Sequence, residues 1–344
     1  MLVFNSFSEL VTYINSPHIH AQICIEDYFR QIINRYDSES ALYNIHASEL
    51  LEPQGIIPTR IKNLIKKAML LLPPIKRYHR HVMELRAVNL QNQNRKMIHE
   101  VVWFCDVCNQ VMCSDLATYP FPEANSMITR IIRFREWFFC SNCQLNNRQR
   151  LAMVISLDYL ESMQNPKIYV MEPIGPFYQY LKERYPGLVG SEYLGENYMP
   201  GEIVNGIRHE NCMQLSFEDE SIDMIISNDV FEHIPDVELA FKEAYRVLIH
   251  GGAMALSVPF NINNTNTFRR ASIENGCVIH NAAPVYHGSL LTSEGALVYY
   301  DFGHDIVEMI NNIGFVTKII LSDELVYGHY FRPFQLLLIK PTKL

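Results

Sequence analysis

Residues 215–248, LSFEDESIDMIISNDVFEHIPDVELAFKEAYRVL, and residues 250–260, HGGAMALSVPF, contain the pattern that decides the fold. Ile222–Ser227 is an apolar run of strand length, and a polar stretch separates it from the helical pattern of Val237–Leu248. A second apolar run of strand length, Ala253–Val258, comes next. Strands that alternate with helices in this way indicate βαβ units and a mainly parallel sheet.

The same alternation extends toward the N-terminus. Ile168–Met171 predicts a first strand, Phe177–Arg184 a helix and Leu188–Ser191 a second strand. In open α/β sheets, ligands bind at the carboxyl ends of the strands. Glu192 directly follows the second strand, where a carboxylate can accept hydrogen bonds from both hydroxyls of a ribose. The alternative is that Glu192 is an ordinary loop carboxylate.

The span Lys167–Phe260 resembles class I S-adenosylmethionine-dependent methyltransferases of the large type 11 group. The order of features in that family is an acidic loop, a strand, a short His-Ile/Val-Pro-Asp motif and a helix. Arg-Val-Leu, Gly-Gly and a further strand then follow. The resemblance implies a Rossmann-like methyltransferase sheet with helices on both faces. It also implies an enzyme with S-adenosylmethionine as its cofactor.

The resemblance assigns the cofactor site to the carboxyl ends of the strands. The turn at Glu172 and Gly175 would approach the methionine end, and Asn211 and Cys212 match the family's adenine contacts. The candidate cofactor-binding residues are Glu172, Gly175, Glu192, Tyr193, Asn211, Cys212 and Asn228.

One departure from the family concerns the first loop. The family has a glycine-rich loop there, whereas this chain has only Gly175, between Pro173 and Pro176. Fewer glycines leave less room for the backbone to approach a cofactor. We therefore expect a loop of different shape, and the alternative is a methyltransferase fold without activity.

Four of the eight cysteines form two C-x-x-C pairs, Cys105/Cys108 and Cys140/Cys143. Each pair places two thiolates on one tight turn, and two such turns complete a tetrahedral four-sulfur site that suits a structural Zn²⁺. Cys113 is a spare that could substitute as a ligand. The alternatives are a redox pair or unrelated buried cysteines.

The long segment Pro259–Tyr300 has few helix signals and lies where this fold often builds a substrate lid. Within it, His287 is the candidate general base, and Tyr286 is a candidate orienting group. The alternative for His287 is a side chain that bonds within the loop. Asp229 and His233 are further catalytic candidates, or they cap and pack the following helix.

The whole chain is interpreted as three parts: a helical N-terminal region at 1–100, a small zinc-ribbon module at 101–150, and the Rossmann-like domain at 151–344. Ser6 and Glu9 form the capping box of a first helix. The stretch 51–100 is locally basic, as a solvated helix face or as a docking surface.

The predicted reaction is methyl transfer to an oxygen or nitrogen of a small polar acceptor, a sugar or natural-product intermediate. The rivals are a protein or RNA methyltransferase and an inactive binding scaffold. The net charge of −8 weighs against nucleic acid as a partner. The sequence shows no signal peptide and no apolar run long enough for a membrane span, which predicts a cytoplasmic location. It does not indicate an oligomeric state.

Overall fold

The computed structural model describes residues 2–6, 9, 100–115, 136, 138–260, 264–288, 295–322, 327–329 and 333–342. The chain divides into two compact units. The first comprises 1–12, 143–323 and 332–344, and the second comprises 13–142 and 324–331. Most of the N-terminal region predicted to be helical lies outside the described residues. The division into three parts therefore stays a prediction.

The strands within the described residues are numbered in chain order. They are β1 (Leu2–Phe4), β2 (Glu100–Cys105), β3 (Gln110–Asp115), β4 (Ile168–Val170), β5 (Val189–Gly190), β6 (Ile203–Val204), β7 (Ile207–Arg208), β8 (Ile222–Asn228), β9 (Leu248–Ser257), β10 (Phe268–Arg269), β11 (Ala271–Glu274), β12 (Cys277–His280), β13 (Tyr286–His287), β14 (Ala296–Leu297), β15 (Tyr300–Asp301), β16 (Val316–Leu321) and β17 (Phe334–Ile339). The helices are α1 (Asn147–Leu160), α2 (Pro176–Arg184), α3 (Val237–Val247) and α4 (Ile306–Ile313), with a 3₁₀ turn at Phe231–His233.

Seven of these strands form the central sheet of the first unit, in the order β1-β16-β17-β9-β8-β4-β5. Four neighbouring strands, β5, β4, β8 and β9, pair in parallel, and β17 pairs antiparallel with β9. Met224, Ile225 and Ile226 of β8 are fully buried on both faces of the sheet, as expected for a central parallel strand. The predicted Rossmann-like α/β fold is confirmed.

The order of the strands reverses beside β4. The chain leaves β4 for β5 on one side and then returns to β8 on the other side of β4. In a doubly wound sheet, such a switch point opens a crevice at the carboxyl ends of the strands, where ligands bind. The loops after β4, β5 and β8 therefore define the site.

Helix α3 shows how the sequence pattern becomes packing. Asp236 is its N-cap, since the Asp236 carboxylate accepts a hydrogen bond of 3.0 Å from the backbone N–H of Leu239. Its apolar side chains recur at helical spacing and are buried. These are Val237, Ala240, Phe241, Ala244 and Val247.

The apolar pattern of Leu151–Met163 predicts a helix, and the observed helix α1 begins four residues earlier, at Asn147. Asn146 caps it, and Gln149 returns a hydrogen bond to the backbone N–H of Asn146, which completes a capping box. The apolar pattern does not reveal this box, because both of its residues are polar.

The first described residues form a strand at the start of the N-terminal region that is predicted to be mostly helical. Leu2–Phe4 forms a strand that pairs antiparallel with β16 and covers the edge of the central sheet. The predicted capping contact is present, because Ser6 Oγ accepts a hydrogen bond from the Glu9 backbone N–H at 3.3 Å.

In the second unit, β2 and β3 form an antiparallel hairpin. Asn109 at its turn has a positive φ of 54°, which asparagine tolerates better than most residues. The ring of Trp103 is fully buried and lies 5.0 Å from the ring of Phe138. Aromatic residues precede both cysteine pairs in the sequence and are predicted to pack beside them, and of these Trp137 lies outside the described residues.

Among the described residues, no helix combines the length and apolar character that crossing a membrane requires. The cytoplasmic location stays a prediction.

Candidate active site

The carboxyl end of β8 carries a charged network around Asp229. Arg148 Nε lies 3.2 Å from Asp229 Oδ2, and Ser257 Oγ donates a hydrogen bond of 2.9 Å to Asp229 Oδ1. Arg148 also donates to Ser257 Oγ at 3.2 Å. Asp229 has a positive φ of 54°, a strained conformation for a non-glycine residue and one that recurs at functional sites. The contacts favour a positioning role for Asp229.

Asn228 connects the ends of β8 and β4. Its Nδ2 donates a hydrogen bond of 3.0 Å to Glu172 Oε1. Its Oδ1 is buried and accepts no hydrogen bond within the described part of the chain. Burial raises the pKa of Glu172 to about 7, although the Asn228 hydrogen bond and the Arg148 charge lower it. A buried acceptor of this kind is a place for a donor from a ligand.

Gly175 lies in the turn between β4 and α2 and has a φ of 100°, a conformation that favours glycine. A Cβ built on Gly175 meets no atom within 4 Å, so open space adjoins the backbone there. Pro176 then begins α2, as proline often does at a first helical position. The loop thus has its one glycine at a position of positive φ with open space beside it, and the expectation of a shape different from the family's stays a prediction.

Glu192 follows β5 as predicted and is held by backbone pairing. Its N–H donates to the Arg208 carbonyl at 3.0 Å. Burial raises the pKa of its carboxyl, and a hydrogen bond from the Tyr193 backbone lowers it. The ring of Tyr193 is half exposed and lies 5.4 Å from the ring of His209.

Asn211 and Cys212 lie in the next loop. Asn211 Oδ1 accepts a hydrogen bond of 2.9 Å from the Met213 backbone. Cys212 Sγ is 3.8 Å from Met171 Sδ, at the end of the first strand of the domain. Burial, and then the negative charges of Glu192 and Glu210, raise the pKa of the Cys212 thiol to about 12. Cys212 is therefore a neutral thiol at the same edge of the sheet as Glu192.

Two buried carboxylates, Glu210 and Glu232, are not among the site residues predicted from the sequence. Glu210 is 1% exposed and accepts hydrogen bonds from Arg208 Nε at 2.8 Å and from the backbone and hydroxyl of Ser216. Glu232 is fully buried in the 3₁₀ turn after β8. The sequence offers one indication for Glu232: it lies in the same short polar motif as His233, which is a predicted catalytic residue.

Glu232 lies between the two predicted catalytic histidines. Its Oε1 is 3.4 Å from His287 Nδ1 and 3.5 Å from His233 Nε2. The two imidazole rings meet edge to face, with centroids 5.0 Å apart. His233 and His287 are thus brought together with Glu232, whereas the neighbouring side chain of Tyr286 is 54% exposed. The structure therefore supplies a carboxylate partner for His287.

The segment Pro259–Tyr300 contains short antiparallel strand pairs. Its described residues include no helix, as its composition predicts. The ribbon of β13 and β14 carries His287 on one strand and Leu297 on the other. Gly303, which follows Phe302 just after β15, packs tightly. A Cβ there would lie 2.3 Å from the carbonyl carbon of Asn266.

The four predicted metal ligands also come together. The sulfurs of Cys105, Cys108, Cys140 and Cys143 lie within 4.8 Å of one another, and those of Cys108 and Cys140 are 3.6 Å apart. Cys113, the predicted spare ligand, is exposed and lies outside this cluster.

Comparisons with known proteins bear on the first unit. Residues 188–256 match the family model described as a methyltransferase domain. No curated protein is detectably similar to the chain in sequence.

Solved structures of similar shape include three bacterial and archaeal proteins. For the YcgJ protein of Bacillus subtilis, identity is 17%, coverage is 32% of this chain and 51% of that chain, and the TM-score is 0.26. The alignment therefore spans about half the length of YcgJ. For an S-adenosylmethionine-dependent methyltransferase from Methanosarcina mazei, identity is 16%, coverage is 55% of this chain and 98% of that chain, and the TM-score is 0.34.

The third structure is the 1,6-didemethyltoxoflavin-N1-methyltransferase of Burkholderia thailandensis. Its identity is 14%, coverage is 56% of this chain and 78% of that chain, and the TM-score is 0.36. Because these scores are low, the assignment rests on the match at 188–256 and on the order of the strands. The match places a methyltransferase-type domain at residues 188–256, within the Rossmann-like sheet.

Proposed function

We propose that the chain transfers a methyl group from S-adenosylmethionine to an oxygen or nitrogen of a small polar acceptor. The observation that carries this proposal is the buried acceptor pair Asn228 Oδ1 and Glu172 at the carboxyl ends of β8 and β4, inside a methyltransferase domain. A sugar or natural-product intermediate is the preferred acceptor class.

The cofactor's methionine end fits beside Glu172, Gly175 and Asn228. An ammonium group can donate hydrogen bonds to Asn228 Oδ1, which has no donor among the described residues, and to the Glu172 carboxylate. The open space next to Gly175 admits a ligand close to the backbone. The positive charge of that ammonium group beside Glu172 would also lower the raised pKa of its carboxyl.

The nucleoside end is assigned to the edge that follows β5. Glu192 would accept hydrogen bonds from the two ribose hydroxyls. Tyr193, Asn211 and Cys212 would surround the adenine, where the half-exposed Tyr193 ring offers a flat apolar face and the neutral Cys212 thiol a non-polar contact.

When bound, S-adenosylmethionine supplies a methyl group on a positively charged sulfur. This chain's residues must hold the acceptor atom in line with that group, and positioning alone can account for several kcal/mol of the barrier. An acceptor hydroxyl must also lose its proton. When no metal ion is bound beside it, His287 is the candidate proton acceptor. Its Nδ1 lies 3.4 Å from Glu232 Oε1.

His233, Asp229 and Tyr286 have supporting roles in this proposal. His233 packs against His287, and Asp229 fixes the end of β8 through its contacts with Arg148 and Ser257. Tyr286 precedes His287 on β13 and, being exposed, is available to bond an acceptor hydroxyl.

The four-cysteine cluster is proposed to bind one structural Zn²⁺. A tetrahedral ion with Zn–S bonds of about 2.3 Å separates its sulfurs by about 3.8 Å. The separation of 3.6 Å between the sulfurs of Cys108 and Cys140 fits this geometry. Four cysteine ligands leave no open position, so no catalytic step is assigned to this ion.

An assay for S-adenosylhomocysteine release tests the acceptor class. The full chain would be incubated with S-adenosylmethionine and, separately, with hydroxylated and aminated small molecules, bulk RNA and unmodified protein. Product with small molecules alone is the expected result. Product only with RNA or protein would support the rival macromolecular methyltransferase, and a wild-type chain that binds no cofactor would support the inactive scaffold.

A further inference from the structure

Glu232 is a buried carboxylate that the hydrogen-bond network leaves unsatisfied. Its side chain is fully buried, and among the described residues its contacts to the imidazoles are long: the ring nitrogens of His287 and His233 lie 3.4 and 3.5 Å from Oε1. Removing a polar group from water without a partner costs several kcal/mol, and considerably more for a charged group. The position therefore requires a positive partner or a proton.

His233 presents a lone pair to this carboxylate. Its Nδ1 lies 2.8 Å from the carbonyl oxygen of Leu297, which can only accept a hydrogen bond, so Nδ1 carries a proton. In the neutral ring the lone pair is then on Nε2, which lies 3.5 Å from Glu232 Oε1. Such a carbonyl contact at one ring nitrogen is the usual way in which a protein orients a histidine that binds a metal through the other nitrogen.

His287 reaches the same oxygen from the opposite strand ribbon. Its Nδ1 lies 3.4 Å from Glu232 Oε1. Because β13 pairs with β14, one ribbon supplies both the His287 ring and the Leu297 carbonyl that orients His233. The ligand atoms of Glu232, His233 and His287 all lie within 4.8 Å of one another.

The separations fit a shared ion better than direct hydrogen bonds. N–H···O hydrogen bonds span about 2.7–3.2 Å. Two ligands bound at about 2.0–2.2 Å to one tetrahedral Zn²⁺ lie about 3.3–3.6 Å apart. The measured 3.4 and 3.5 Å fall in the second range, on both edges that meet at Glu232 Oε1.

We propose that Glu232, His233 and His287 bind one divalent transition-metal cation of the zinc class. Two imidazoles and one carboxylate are ligands that such cations accept, and three protein ligands leave a coordination position for a small ligand. This site is separate from the four-cysteine cluster, because the two groups share no residue.

The ion's role rests on the proposed function. The open position can take a hydroxyl or amine of the acceptor, and a bound cation lowers the pKa of a coordinated hydroxyl, whose proton then passes to solvent. In that form His287 is a ligand, and the cation replaces its imidazole as the group that prepares the acceptor for attack.

Metal content after dialysis against limiting free Zn²⁺ tests the site. Wild-type chain is compared with Glu232→Gln and His287→Gln, and with Glu274→Gln and His280→Gln as matched controls on the exposed β11–β12 hairpin. We expect wild type and both controls to hold one zinc equivalent more than Glu232→Gln and His287→Gln. Zinc at the four cysteines would be common to all five proteins and cancels in the difference.

Equal zinc content in all five proteins would overturn the proposal and favour a shared proton between Glu232 and the histidines. The partly exposed His287 provides a test even if Glu232→Gln does not fold. S-adenosylhomocysteine binding is measured on the same samples. If wild type binds S-adenosylhomocysteine but lacks the additional zinc, only the metal site is contradicted. If wild type does not bind S-adenosylhomocysteine, the proposed function itself is contradicted.

Discussion

Asn228 Nδ2 donates a hydrogen bond of 3.0 Å to Glu172 Oε1 and so joins the carboxyl ends of β8 and β4. These two strands pair in parallel on either side of the point where the strand order reverses. The bond fixes the Asn228 amide so that its oxygen remains as an acceptor in the crevice. A single side-chain pair thus connects the topology of the sheet to the chemistry proposed there.

The pH dependence of stability should carry the signature of Glu172. Burial raises its pKa to about 7 in the folded chain from an ordinary value of 4.5, so the folded state holds the proton more tightly than the unfolded state. The free energy of unfolding should therefore fall as pH rises from about 4.5 to about 7, and level off above that. A difference of that size corresponds to at most about 3 kcal/mol.

Urea unfolding at pH 5 and pH 8 measures this effect in wild type and in Glu172→Gln. The decline with pH should be smaller in Glu172→Gln, because its amide does not titrate. Glu196→Gln, an exposed change in the loop after Glu192, should decline as wild type does. An equal decline in Glu172→Gln and wild type would show that Glu172 has no raised pKa.

The ion pair of Arg148 and Asp229 should contribute to stability. Its side chains are only 9% and 17% exposed, so Asp229→Asn removes a negative charge from beside a largely buried positive one. We expect a loss of about 3 kcal/mol in the free energy of unfolding. Asparagine tolerates the positive φ at this position, so the substitution changes the charge without adding backbone strain.

Asp219→Asn is the matched control for Asp229→Asn in denaturant unfolding. Asp219 also pairs with an arginine, Arg246, but its side chain is 76% exposed. Exposed pairs contribute about 1 kcal/mol or less. Losses of the same small size in both variants would mean that the Arg148 pair is no more than a surface contact.

Cys105→Ser should remove one zinc equivalent and lower the thermal unfolding midpoint. Cys105 is fully buried in the four-cysteine cluster, and loss of a structural zinc removes binding free energy that supports folding. Elemental analysis and thermal unfolding of freshly purified protein provide the two measurements. Cys113→Ser should retain wild-type zinc, since Cys113 is exposed and outside the cluster. Wild-type zinc content in Cys105→Ser would rule out the four-sulfur site.

The core of the fold could be predicted because its signals are local. The apolar run Ile222–Ser227 and the periodicity of Val237–Leu248 predict β8 and α3, whose observed bounds agree within a residue. The strand Leu2–Phe4 could not be predicted in this way. It has three residues, and its pairing partner Leu321 lies more than three hundred positions along the chain.

The same contrast applies to the site. Glu192 and Asn228 could be placed because the carboxyl ends of parallel strands share one edge of the sheet. The position of Glu232 after the same strand could also be predicted, but its burial could not, because a glutamate in a short polar motif is usually exposed. The β13–β14 ribbon, which is distant in sequence, places His287 beside Glu232 and orients His233 through Leu297.

Calorimetric titration of S-adenosylhomocysteine into the full chain tests the central claim most directly. We expect one molecule bound per chain and a dissociation constant about 10 to 100 times higher for Glu192→Ala, since hydrogen bonds to a charged group contribute about 1.5–3 kcal/mol. Glu196→Ala should bind as wild type does. No binding to wild type at millimolar ligand, or equal binding by Glu192→Ala and wild type, would contradict the account.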